Sequence, residues 1–231
     1  MNAITGATTA PRHQASASRR AITLVAATLI SLALVSSWFV SRSDAHAGGA
    51  TAERAQFHDA MRGLWEEHVA WTRMFIVSFA SDVPDLAATT DRLLRNQDDI
   101  GNAVRPFYGD AAADQLTALL REHILGAAQL LTAAEAGDAD GVAAASDAWY
   151  ANANEIADFL AAANPKHWSA ADLRQMMKDH LDLTLAEAVA QLEGRYADAV
   201  AGYDAVEAEI REMADMLSDG ILAQFPAAFA H

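Results

Sequence analysis

Beyond residue 48 the hydrophobic positions fall at helical spacing. Met61, Leu64, Trp71 and Phe75, and later Leu116, Leu119 and Leu130, are separated by three, four, seven or eleven residues, and no stretch alternates with period two. Pro84, Pro106, Pro165 and Pro226, with Gly109, Gly137 and Gly194, cut the chain into segments rich in Ala, Leu, Glu, Asp and Arg. Those are helix formers between helix breakers. The pattern predicts six helices, near 54–81, 85–105, 111–136, 140–163, 169–193 and 196–223. Their short connections favour antiparallel neighbours.

The chain also repeats itself. Glu67-His68-Val69, Glu122-His123-Ile124 and Asp179-His180-Leu181 each set an acid, a histidine and an aliphatic residue side by side. Met61, Leu116 and Leu173 stand seven residues before the histidines, and Leu64, Leu119 and Met176 stand four before, so each histidine continues an apolar stripe. Further on come Asp99-Ile100-Gly101-Asn102, Glu155-Ile156-Ala157-Asp158 and Glu212-Met213-Ala214-Asp215. Leu93, Trp149 and Val206 lie seven before the central aliphatic of each patch, and Val104, Leu160 and Leu217 lie four after. Two patches matching three times describe three tandem αα-hairpins, about 54–106, 110–164 and 169–224, each with a histidine on its first helix. The expected fold class is all-α, a bundle of about six helices. A four-helix bundle with a helical appendage is the alternative arrangement.

Residues 1–47 read as an export segment ahead of a single domain from 48 to 231. An uncharged run from Ala21 to Ser41 follows Arg19 and Arg20, is long enough to span a hydrocarbon core, and places the remainder outside the cytoplasmic membrane. Ala45-His46-Ala47 has the small-x-small form of a signal-peptidase site, whereas the length of the apolar run suits a retained anchor. Both fates remain open, so contact with the membrane is expected only through residues 21–41, and only if they are retained.

Charge narrows the functional classes. The chain carries 16 Lys and Arg against 31 Asp and Glu; four of the basic residues and one acid lie in residues 1–47, which leaves 12 against 30 in the domain. That surface opposes nucleic acid and anionic lipid, both of which need a basic face. Absence of cysteine excludes disulfides, thiolate nucleophiles and thiolate metal sites. No Gly-rich phosphate loop, GxSxG elbow or HExxH pair occurs, so no enzymatic signature is present.

The repeated histidines carry the candidate chemistry. At matching heights in three hairpins, His68, His123 and His180 form a candidate ligand set for Zn, Cu or Fe, with Asp99, Glu155 and Glu212, or the amides of Asn96 and Asn152, as further ligands or supports. The competing reading makes each histidine a core residue hydrogen-bonded within its own hairpin and repeated by duplication. Thr72 and Thr184, four residues after their histidines, stand at a neighbouring level. Trp65 and Trp71 are six residues and so about 120° apart, which sends one of them toward a rim. Asp138, Asp140 and Asp147 suit a solvated face. Two functions of different kind fit: an extracytoplasmic binding module with a central metal or small-ligand site, or a cell-envelope scaffold that binds a protein partner and uses its histidines structurally.

The strings Leu64-Trp65-Glu66-Glu67-His68 with Trp71-Thr72-Arg73, Arg92-Leu93-Leu94-Arg95-Asn96-Gln97, Pro106-Phe107-Tyr108-Gly109, Trp149-Tyr150-Ala151-Asn152-Ala153 and Met213-Ala214-Asp215-Met216-Leu217 resemble a bacterial family of exported small helical proteins. The resemblance covers nearly all of residues 60–226. It implies an exported, all-helical protein, and, since that family has no assigned chemistry, it carries over no catalytic residue.

Overall fold

The computed structural model describes residues 22–230, with side chains from Gly49 onward except Ala50. It is all-helical, with no strand among the described residues: α1 (Ile22–Ala80), α2 (Leu86–Tyr108), α3 (Asp110–Glu135), α4 (Ala139–Ala163), α5 (Ala170–Leu192) and α6 (Tyr196–Gln224), then a short 3-10 turn at Pro226–Phe229. The apolar run 21–41 and the cleavage motif at 45–47 lie outside the residues whose side chains are described. Among the described residues no helix is long and apolar enough to cross a membrane. One compact unit covers Ala50–His231 and holds all three hairpins.

The breaks between helices have local causes. Gly137 and Gly194 adopt φ of +68° and +73°, a left-handed conformation that only glycine takes without steric cost. The amides that follow, Asp138 N and Arg195 N, bond back to Ala133 O and Ala190 O and so close the ends of α3 and α5. Asp138 then caps α4 by accepting from Gly141 N, and Ser169 caps α5 by accepting from Asp172 N. Pro106 does not end α2, which runs on to Tyr108. In the last turn a proline interrupts little of the ladder beyond its own missing donor.

Each helix buries one stripe, and the stripes coincide across the repeats. Met61, Leu116 and Leu173 are buried, and so are Leu93, Trp149 and Val206, Ile100, Ile156 and Met213, and Val104, Leu160 and Leu217. At roughly 1.5–3 kcal/mol for each fully buried large apolar side chain, these layers dominate the folding energy. The small third residue of each return-helix patch is buried too: Gly101, Ala157 and Ala214. At Gly101 an added Cβ would stand 1.9 Å from Thr117 Oγ1 and 3.0 Å from Ala113 O, so α2 and α3 approach more closely than any side chain there allows.

Successive helices pack as neighbours from α2 through α6, and α6 returns to α1 to close a ring. Equivalent residues make the joints between hairpins. Arg62 on α1 binds Asp215 on α6, and Arg174 on α5 binds Asp158 on α4. In the third joint the same two positions are Thr117 and Asn102. These exposed pairs contribute little stability each. One end of the ring is plugged by aromatics: Phe57, Phe107 and Phe229 stand 5.1–5.5 Å apart between ring centres, with Phe225 and Tyr108 against them.

Candidate functional site: a buried histidine layer

Hairpin geometry brings the three histidines together inside the ring. His68, His123 and His180 retain only 4%, 4% and 5% of their accessible surface. The rings of His68 and His180 lie 5.8 Å apart, and charge on His180 is felt at both other histidines. Trp149 stacks on His123 at 5.3 Å, while Trp65 presents its edge to His68 at 5.8 Å. Trp65 thus walls the layer. Trp71 instead lies half-buried toward the rim, with the Arg92 guanidinium 5.1 Å from its ring centre.

Each imidazole is held through Nδ1 by a residue of its own hairpin, always 29 positions downstream. Gln97 Nε2 donates to His68 Nδ1 at 3.2 Å, His123 Nδ1 donates to Asn152 Oδ1 at 2.9 Å, and His180 Nδ1 donates to Glu209 Oε2 at 2.9 Å. An amide oxygen and a carboxylate only accept, so His123 and His180 each carry a proton on Nδ1, whereas Nδ1 of His68 accepts from Gln97 and its ring proton sits on Nε2. None of the three Nε2 atoms has a hydrogen-bond partner among the described residues. The amides also tie the hairpins themselves: Asn96 donates to Leu64 O and Asn152 to Leu119 O, carbonyls one turn before the histidines.

Burial sets the charge state. Removal from water holds His68 well below its ordinary value, with His180 and His123 adding repulsion. His123 is pushed down to about 4 by burial and by His180, against the opposing bond to Asn152. Both are neutral near pH 7, the state in which imidazole offers a lone pair.

The acids expected as supports lie elsewhere. Glu155 and Glu212 are exposed, and Asp99 is partly exposed with Arg92 Nη1 at 3.9 Å. The reason is helical geometry: they directly precede the inward-facing Ile156, Met213 and Ile100, and one residue is a 100° turn away from the core. The residues that do support the layer stand three or four before those aliphatics, on the same face. Of the expected amides Asn152 is one of them, whereas Asn96 serves a backbone carbonyl. Gln97 and Glu209 went unrecognised in sequence, although the constant spacing of 29 from His123 to Asn152 points to both.

Small cavities flank the layer along the axis. One of about 20 Å³ lies on the side of the aromatic plug, among Met61, Trp65, Ile100, Ile156, Leu173 and Met213. Another of about 30 Å³ lies on the far side, bordered by Thr72, Thr184, Leu93, Ile124 and Trp149. Each holds a water molecule at most or little more, which excludes an organic ligand without rearrangement. Among the described residues no three metal-binding side chains stand in a ready-made ligand arrangement. Comparison with protein families, curated proteins and solved structures finds no match to this chain.

Proposed function

We propose that this protein is an extracytoplasmic binding module whose histidine layer takes up a single transition-metal ion, Zn, Cu or Fe, through Nε2 of His68, His123 and His180. One observation carries the reading: three buried imidazoles come together in one layer, and in His123 and His180 Nδ1 donates to an amide oxygen or carboxylate while Nε2 has no hydrogen-bond partner among the described residues. That division of the two ring nitrogens is the one metal-binding histidines use, in which the outer partner fixes the tautomer and raises basicity. His68, whose Nδ1 accepts from Gln97, joins the set once the Gln97 amide turns its unpartnered Oε1 toward Nδ1 and the ring proton moves there. Two imidazoles sharing a tetrahedral zinc would have ring centres about 5 Å apart, from bonds of about 2.0–2.1 Å. The observed 5.8 Å between His68 and His180 asks for a small inward rotation of the rings. The acidic domain surface and the basic residues ahead of the apolar run support the extracytoplasmic location.

A second reading is favoured by the same Nδ1 bonds. Each histidine is already tied within its hairpin, which suits a cell-envelope scaffold that presents its outer faces to a protein partner and uses the layer to hold helix register. Elemental analysis of protein purified without a polyhistidine tag separates the two. The binding module is expected to hold about one metal ion per chain after exposure to Zn²⁺ or Cu²⁺, and His68→Ala with His123→Ala is expected to abolish uptake while leaving helical content largely intact. No uptake by the parent protein leaves the scaffold. The location has its own check: a reporter fused after His231 is expected to be active only if it functions outside the cytoplasm, and cytoplasmic activity refutes export.

A further inference from the structure

The threefold repeat is broken along one helix face. Four, seven and eleven residues past the histidine, α1 carries Thr72, Phe75 and Phe79, and α3 carries Ala127, Leu130 and Ala134. On α5 the same positions are Thr184, Glu187 and Gln191, so a single face reads His180, Thr184, Glu187, Gln191. All four are buried, at 5%, 6%, 1% and 6% exposure. The threonine recurs on α1, but at the two positions beyond it only α5 is polar, with Glu187 and Gln191.

Nor are these groups fully paired. Thr184 Oγ1 and Gln191 Oε1 are enclosed without a hydrogen-bond partner among the described residues, and so is Glu209 Oε1, the second oxygen of the carboxylate that holds His180. Orphaned polar atoms in a core are normally satisfied by water. Thr184, with Thr72, is a polar member of the otherwise apolar wall of the cavity of about 30 Å³ beside the histidine layer. One turn further, Glu187 meets Arg73 of α1, with Nη1 at 3.0 Å from Oε1. The Glu187 side chain is 2% exposed and that of Arg73 is 19% exposed, so the guanidinium spans from the interior to solvent. Burial raises the Glu187 carboxyl in spite of Arg73, which marks a carboxylate in a weakly screened place.

The opposite approach is closed. Toward the aromatic plug the layer meets only apolar walls, then Phe57, Phe107 and Phe229. We propose that the seam between α1 and α5 is the access route to the histidine layer, a path of polar side chains along Arg73, Glu187 and Thr184 by which water, protons and a divalent metal ion reach His180. For the metal ion this rests on the binding reading above; for water and protons it stands without it. Glu187 and Arg73 form the gate. A cation arriving from solvent meets the Arg73 guanidinium, which swings aside and lets it reach the Glu187 carboxylate behind and pass the Thr184 hydroxyl to the histidines.

Two measurements on the full-length protein test the route, on Thr184→Val and on Arg73→Leu with Glu187→Leu, with circular dichroism confirming that each variant folds. The first is solvent exchange of the His180 ring Nδ1 proton by NMR in metal-free protein. At least a tenfold slowing in either variant is the expected result; unchanged exchange in both overturns the route. The second uses Co²⁺ as probe and follows its absorption after rapid mixing. Uptake is expected to slow at least tenfold while the final absorption stays unchanged. Uptake at the parent rate overturns the route for metal and leaves the binding reading intact. Absence of Co²⁺ binding in the parent protein overturns the binding reading, and proton exchange then decides the route alone.

Discussion

Acidifying the protein from pH 7 to 4.5 is expected to lower its unfolding free energy by about 2–3 kcal/mol through His123 alone. The sign follows from the burial of a neutral ring. In the folded state His123 titrates at about 4, whereas in the unfolded chain it has the ordinary value of 6.5. Between those values the unfolded chain binds the additional proton, so stability is full above pH 6.5 and is lost as pH falls toward 4. His68, held down by the same burial, acts in the same direction. The salt-bridged Asp182 and Asp215 are lowered from 3.8 and lose their contribution only at more acidic pH, whereas Glu187, raised from 4.5 by burial, takes up its proton first in the folded state and offsets part of the decline. Urea unfolding at pH 7, 5.5 and 4.5 measures the slope. In His123→Gln the decline should shrink by the amount assigned to His123; parallel declines in variant and parent would show that the ring is not held neutral in the core.

Arg73→Ala is expected to destabilise the bundle by about 3 kcal/mol, near the lower end for breaking a buried ion pair, because it strands Glu187. The Glu187 side chain has 2% of its surface exposed. The direction of its shift already shows that burial outweighs the help it receives from Arg73. Replacing both partners removes that orphan. Arg73→Leu with Glu187→Leu should therefore recover most of the loss, since the corresponding site on α3 is Leu130 at 3% exposure. Thermal unfolding of the two variants against the parent decides it, and equal losses in both would place the cost in packing rather than in the stranded carboxylate.

The helices and their repeat were readable in sequence because both depend on local physics. Helix formers between Pro and Gly set six segments whose ends differ from the observed helices by a few residues, apart from α1, which begins earlier. The matching stripes at His68, His123 and His180 identified the buried face, since a period of 3.6 leaves little choice about which residues point inward. What surrounds a face is another matter. Asp99, Glu155 and Glu212 stand at repeated positions and carry the right chemistry, yet a 100° rotation per residue turns them away from the layer they were expected to support. Gln97, Asn152 and Glu209 differ in chemical type, so no pattern of like residues marks them, and only the register of each return helix brings them to Nδ1.

Sequence by itself thus determined the fold class, the hairpin repeat and the three buried histidines, because hydrophobic period and helix breakers act over a few residues. Tertiary structure alone decided which nitrogen of each ring is engaged, that the histidines meet in one layer, and that α5 carries a polar face toward Arg73. Those depend on distances between segments as far apart as Arg73 and Glu187, separated by 114 residues, and on the loss of water that gives a buried charge or an orphaned hydroxyl its energetic weight.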